Sequence, residues 1–350
     1  MLRRLLRFSL LWVTANLLVL GAAISAASED ATNSVAAAEA SEALMAARRL
    51  APVTVEEVAQ LLRQENFDEL EHRTRGFVRR FASDPLWESP LCKLYSSIDG
   101  TDAALKEKLD KWVQRRPSYM SYTARGTYEV QQGFQQRGFD YIEHTPPENL
   151  ERMSATMADA QADLEKALSL NPRFTPAYVA LLGVAQAVGG VDAATRIEQR
   201  ATREVPTTYY VRQAYLRNLT PRWGGSYELM MGYEGTLNTP ARLNARIWSL
   251  KGESWAERGY TARLDNEAAS AIEYYTKALQ FGDRMEFLRA RGTLYISLRE
   301  YDLASQDFIR YQQYDSSDNE VNRFVQCMGD IRNGRACPVT STNGQAPTPE

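Results

Sequence analysis

The chain has few of the side chains that carry most catalysis. Of 350 residues only two are histidine, His72 and His144, and three are cysteine. Neither histidine has a second one at ligand spacing, so a zinc site is not implied. His72 lies in Glu71-His72-Arg73 on an expected helix, and His144 opens a Pro-rich loop, His144-Thr145-Pro146-Pro147. Each reads as a solvated side chain or as a lone base. No Cys-x-x-Cys pair occurs, which removes the thioredoxin-type redox motif. A nucleophile elbow, a Walker phosphate loop and a dinucleotide fingerprint are also missing. No useful run alternates apolar and polar residues, so the pattern points away from strands. No cofactor and no metal is implied.

Basic charge is not in excess either. Forty-one Lys and Arg face 44 acids, a net −3. Without residues 1–27, which hold three Arg and no acid, the count becomes 38 against 44, or −6. A mildly acidic body argues against a nucleic-acid partner, which needs a basic face. The apolar share of 44% and charged share of 24% are those of a globular chain.

Long apolar runs are absent except at the start. Arg3, Arg4 and Arg7 precede an apolar stretch over 8–24, and Ser25-Ala26-Ala27 offers a small-residue cleavage site before Ser28. This predicts a signal peptide over 1–27 and a periplasmic or secreted protein. An inner-membrane anchor made by residues 8–24 is the alternative, although about 17 residues is short of the roughly 20 a spanning helix needs. Residues 28–51, rich in Ala, Ser and Glu, are expected to be a flexible linker that frays into a helix near 39–50. Cys327 and Cys337 sit ten positions apart near the C-terminus; export favours a disulfide between them, with Cys92 left as a buried thiol. A disordered tail with that loop is expected over 331–350.

What is present is helical periodicity and a repeat. Thr54-x-x-Glu57 reads as a capping box, and Val55, Val58, Leu61 and Leu62 follow as one apolar stripe. Further helices are expected over 67–81, 86–98 and 103–115, giving an N-terminal helical segment over 52–117. Pro172, Pro206 and Pro240 recur at one constant interval, and each is expected to end the second helix of a hairpin. Ala160 and Ala167 recur at the same interval as Ala194 and Ala201, small residues where helix axes cross. Trp255, Gly259, Ala271, Tyr275 and Ala278 are matched one repeat later by Leu288, Gly292, Ala304, Phe308 and, with a large residue in the last place, Tyr311. Ala124-Arg125-Gly126-Thr127-Tyr128 nearly recurs as Ala290-Arg291-Gly292-Thr293-Leu294-Tyr295. A long helix is expected over 242–260.

These spacings resemble the tetratricopeptide repeat, a two-helix unit of about 34 residues. The resemblance implies an all-α, right-handed α-solenoid of helical hairpins over 118–330, preceded by the N-terminal segment. The blocks at 112–126 and 221–226 also look like an uncharacterised bacterial family built on such helices. Tetratricopeptide-like proteins hold peptides or protein partners, so the implied role is a non-catalytic scaffold or adaptor with a protein or peptide partner. The inner-face positions Val179, Gly183, Ile247, Trp248, Ala256 and Tyr260 do not form the Lys/Asn/Arg clamp used for chaperone tails.

The candidate binding residues are Arg222, Trp223, Arg125, Arg137, Tyr210 and Trp248. Arg222 and Trp223 lie in Pro221-Arg222-Trp223-Gly224-Gly225-Ser226, where two glycines permit a sharp turn. Arg suits bidentate grip on a carboxylate and Trp suits stacking. Both residues also fit a structural role, as do Arg125 and Arg137. The rival reading is an envelope hydrolase built from His144 with Glu143 or Glu148 and Arg222. Asp159 and Asp163, four apart on one helix, read as a solvated face.

Overall fold

The structure is a computed structural model and describes residues 31–50, 54–138, 144–332 and 335. The regular elements it describes are helices. A helix over 31–49 (α1) is followed by α2 (Val55–Arg63), α3 (Phe67–Phe81), α4 (Glu88–Ser96) and α5 (Ala103–Arg115). Then come α6 (Tyr119–Arg137), α7 (Pro147–Leu170), α8 (Thr175–Val184), α9 (Gly190–Glu204) and α10 (Tyr210–Asn218). The chain continues through α11 (Tyr227–Gly235), α12 (Asn238–Ala241), α13 (Glu253–Leu264) and α14 (Ala268–Leu279). It closes with α15 (Met285–Ser297), α16 (Tyr301–Gln312) and α17 (Asn319–Arg332).

Small residues set the hairpins. A Cβ on Gly126 of α6 would lie 2.7 Å from Leu164 of α7. On Gly259 of α13 it would meet Tyr275 of α14 at 3.0 Å, and on Gly292 of α15, Phe308 of α16 at 2.9 Å. The first helix of each hairpin (its A helix) therefore rests on a large side chain of the second (its B helix). The repeat alanines Ala160, Ala167, Ala194, Ala201, Ala271, Ala278 and Ala304 are all buried, as crossing points must be. The tetratricopeptide-like hairpin is thus visible in the chain's own packing. α8 and α9 also fold back on each other. The helical run Thr175–Glu204 is long and apolar enough to cross a membrane by length and composition alone. It reverses at Gly190 (φ 66°), and the Arg200 guanidinium sits 5.6 Å from the Tyr178 ring. In a straight helix those residues would be about 33 Å apart.

α4 runs along the ends where successive A helices begin. Its Tyr95 meets Phe174 edge-on at 5.2 Å, and Cys92 touches the Thr175 hydroxyl at 3.8 Å. One turn back, Ser89 Oγ is 2.9 Å from the Tyr210 hydroxyl. Glu88 accepts a hydrogen bond from Tyr209 N at 2.7 Å, and Arg246 donates to Pro85 O at 2.7 Å. The N-terminal segment therefore acts as a splint along one edge of the repeats.

Three expectations are corrected. Residues 31–49, expected as a flexible linker, form α1 and dock on the C-terminal hairpins. Ala40 and Ala47 are buried, Asp283 N donates to Ser41 Oγ at 2.7 Å, and Arg48 donates to Tyr314 O at 2.8 Å. Leu44 packs against both apolar cores of the molecule. Pro240 does not end a helix. It is the third residue of α12, where a backbone amide has no intrahelical acceptor to lose. The long helix expected over 242–260 is broken, because Asn244 accepts from Arg246 N and donates to Thr207 O at 2.8 Å. The chain then tightens into a 3-10 stretch, Ala245–Gly252, before α13. A smaller difference concerns Thr54: its hydroxyl accepts from Glu57 N as expected, but the Glu57 carboxylate turns to Arg73 at 2.6 Å. The segment 1–27, Cys337 and nearly all of the expected tail lie outside the described residues. Cys327 is disulfide-bonded, and Cys92 is a buried free thiol whose pKa burial pushes up.

Candidate binding face

The candidate residues from the sequence do not assemble into one site. Arg222 donates through Nε and a terminal nitrogen to both carboxylate oxygens of Glu257, and its guanidinium lies 4.2 Å from the Tyr260 ring. Trp223 packs edge-on against Phe134 at 6.1 Å, and Arg137 sits 5.6 Å from the same indole. These contacts fasten the 221–226 loop to α13 on one side and to the end of α6 on the other. Arg125 grips Asp163 with two hydrogen bonds, 2.6 and 2.8 Å, and Asp110 with a third at 3.0 Å. Tyr210 faces Ser89 and Arg246, the latter at 5.8 Å. Trp248 is covered by Lys251 at 4.1 Å, and its buried Nε1 has no hydrogen-bond partner. His72 and His144 are exposed, and no hydrogen bond or ion pair joins His144 to Glu148 or Arg222 among the described residues. Glu143 lies outside them.

Several buried charges were not legible in the sequence. Glu88 and Arg246, 0% and 1% exposed at the side chain, approach to 3.6 Å. Burial pushes the Glu88 carboxyl up, while Arg246, the Thr208 hydroxyl and the Tyr209 and Tyr210 amides pull against it. The pair is sealed, so its role is to join α4 to the 245–252 stretch, while Glu88's bonds to Thr208 and Tyr209 N tie it to the start of α10. Glu234 accepts from the Ser254 amide and hydroxyl at 2.6 and 2.7 Å, yet burial raises it to about 8. Glu129 is raised to about 7, first by burial and then by Asp163, and one of its oxygens is buried without a partner. Both folded-state values exceed the ordinary 4.5. Between about pH 5 and 8 the folded chain therefore holds protons that the unfolded chain has released, and stability falls as pH rises. The slope from each group is at most about 1.4 kcal/mol per pH unit. Urea midpoints at pH 5, 6, 7 and 8 should decline, and Glu129→Gln with Glu234→Gln should flatten the decline. An unchanged slope in that double variant contradicts the assignment.

The face with the chemistry of recognition lies where α11, α13 and α14 meet. Ser226 caps α11, accepting from Leu229 N at 3.2 Å, and this sets Tyr227 at the first position of the helix. The Tyr227 hydroxyl reaches Thr261 at 3.3 Å, and its ring lies 3.9 Å from the Arg258 guanidinium. Arg258 is also 5.8 Å from Trp255, which lies on the same face of α13. Trp255 stacks on Tyr274 of α14 at 6.1 Å, with Lys277 Nζ 4.8 Å away. Met231, one turn beyond Tyr227, is 48% exposed. Three half-buried aromatic rings, two cations and an exposed thioether thus share one surface. Only Trp255 of these is singled out by the repeat spacing. The recurrence of an Arg-Gly pair at 258–259 was the further signal, hidden because Glu257 stands where the other copies have Ala.

A separate cleft of about 230 Å³ opens between α7, α8 and α9 at the π-helical turn Ala185–Gly189. Leu181, Val184 and Ile197 line its floor, and Arg200 at the rim is paired with Glu165 at 2.7 Å. Its size suits about one side chain.

No family model matches the chain, and no curated protein matches it. Among solved structures it is similar to one from a functional characterization of PilF of Pseudomonas aeruginosa, with 17% identity over 59% of this chain and 86% of that one, at a TM-score of 0.29. It is also similar to a tetratricopeptide repeat protein from Parabacteroides merdae, with 16% identity over 75% of this chain and 98% of that one, at a TM-score of 0.30. Likenesses of that size carry no argument, and the fold assignment rests on the glycine-centred hairpins described above.

Proposed function

We propose that this protein is a non-catalytic helical-repeat scaffold that holds a protein or peptide partner, and that it works after export across a membrane. The observation that carries the reading is the α11–α13–α14 face. Tyr227, Trp255 and Tyr274 offer broad contact area with few rotors to fix, beside Arg258 and Lys277. The 221–226 loop supports the face from behind: Arg222 on Glu257 orients α13, and Ser226 starts α11.

A photo-crosslinking amino acid placed at Met231 is expected to capture a discrete partner, and the same group at exposed Leu170 is not. Capture should fall at least about tenfold with Trp255→Ala in a protein whose circular dichroism is unchanged. Equal capture from both positions, or capture indifferent to Trp255, would overturn the reading. N-terminal sequencing of the same material is expected to begin at Ser28; a chain beginning at Met1 would instead mean that residues 8–24 stay as an anchor.

A further inference from the structure

Three hairpins share one register of charge, and in one of them half of it is missing. In α6–α7, Arg125 precedes Gly126, and its partner Asp163 precedes the Leu164 that covers that glycine. In α15–α16, Arg291 precedes Gly292, and it grips Asp307, the residue before the covering Phe308, at 2.8 and 2.7 Å. In α13–α14, Arg258 precedes Gly259, which Tyr275 covers, but the residue before Tyr275 is Tyr274. The guanidinium is retained and the carboxylate is not.

Arg258 finds no substitute among the described residues. Its Nε is shielded from water with no hydrogen-bond partner, and no carboxylate of the described residues lies within ion-pair distance of it. Glu228 is the acid on the adjoining turn. Its carboxyl is held below the ordinary value first by its own backbone amide and then by Ser226, with Arg258 a minor influence. The rings of Tyr227 and Trp255 instead hold the cation in place. A half-buried arginine fixed by ring faces and lacking an anion is pre-organised for one. Lys277 adds a second cation on the same rim, although it already pairs with Glu273 at 2.7 Å.

We propose that Arg258 receives a carboxylate from outside the chain, the side chain of an aspartate or glutamate in a partner peptide laid across Tyr227, Trp255 and Tyr274. This deepens the scaffold reading and rests on it. The external carboxylate completes the pair that Asp163 and Asp307 complete internally in the other hairpins, and the rings take the residues beside it.

The test uses two pools of decapeptides, randomised except for a central Glu in one and Gln in the other, with binding to the full chain read by fluorescence anisotropy. The Glu pool is expected to bind the unmodified protein at least about tenfold more tightly than the Gln pool. Arg258→Gln should abolish that preference. Tyr274→Asp should abolish it too, by restoring the internal pair, while the thermal midpoint holds or rises, so loss of folding cannot explain the result. Equal binding of both pools, or a preference that survives Tyr274→Asp, overturns the proposal. If neither pool binds while the crosslinker at Met231 still captures its partner, acidic recognition falls and the scaffold reading stands. If free glutamate competes as well as the Glu pool does, the site takes small carboxylates and the peptide assignment is overturned.

Discussion

Replacing Glu88 by alanine is expected to destabilise the protein by about 3–5 kcal/mol, the cost of leaving a buried charge without its partner. Arg246 would stay at 1% exposure with only Pro85 O and Asn244 Oδ1 as acceptors. Tyr209 N and the Thr208 hydroxyl, which both donate to Glu88, would lose their acceptor at the start of α10. Glu88→Gln keeps an oxygen for Tyr209 N and should fall between the two. Replacing both partners by apolar residues, Glu88→Leu with Arg246→Met, should recover most of the loss, because no desolvated charge remains. Urea midpoints of the four proteins check this. A loss under about 1 kcal/mol for Glu88→Ala would mean that α4 does not depend on this pair to hold the A-helix ends.

Gly225→Ala is the second large effect, with an expected loss of at least about 3 kcal/mol from overpacking against rigid atoms. A Cβ there would fall 2.1 Å from Leu219 O and 2.3 Å from Leu219 C. Those atoms are backbone, fixed by Thr220 O, which accepts from both Trp223 N and Gly225 N at 3.0 and 3.1 Å. Gly224→Ala should cost less, about 1–2 kcal/mol, since its φ of 83° strains an L residue without a clash. Arg222→Ala should cost least, within about 1 kcal/mol, because the Arg222 side chain is 42% exposed and water reaches the pair from that side. Thermal midpoints should rank in that order. Gly225→Ala should also weaken partner capture, because this turn delivers Tyr227 to Arg258. A milder effect from Gly225→Ala than from Arg222→Ala would contradict the packing described for the loop.

The sequence carried the local signals well. Helix ends at Phe67, Phe81, Ala103 and Arg115 follow from caps and prolines next to apolar stripes, and the observed helices begin and end there. The repeat alanines and the Gly259–Tyr275 and Gly292–Phe308 contacts follow from spacing, because one register fixes both partners. Long-range contacts were not legible. Arg246 reads as one more basic residue on an amphipathic stretch until Glu88, far earlier in the chain, supplies its counter-charge. α1 looks like a linker because its apolar contacts are made by alanines with only Leu44 and Met45, and its partners include hairpins near the opposite end of the chain. The Arg222–Trp223 loop has the chemistry of recognition, but Arg222 directs its donors to Glu257 and Trp223 packs its ring on Phe134. Arg258 is not legible in the sequence because its importance lies in an acid that is absent from the position Tyr274 occupies on the next helix.

Amide hydrogen exchange, measured with and without the partner captured at Met231, tests the central claim most directly. The account predicts added protection in α11, α13 and α14, with the 221–226 loop and the cleft between α8 and α9 unchanged. Protection confined to that cleft or to the loop, with α13 unaffected, would contradict it.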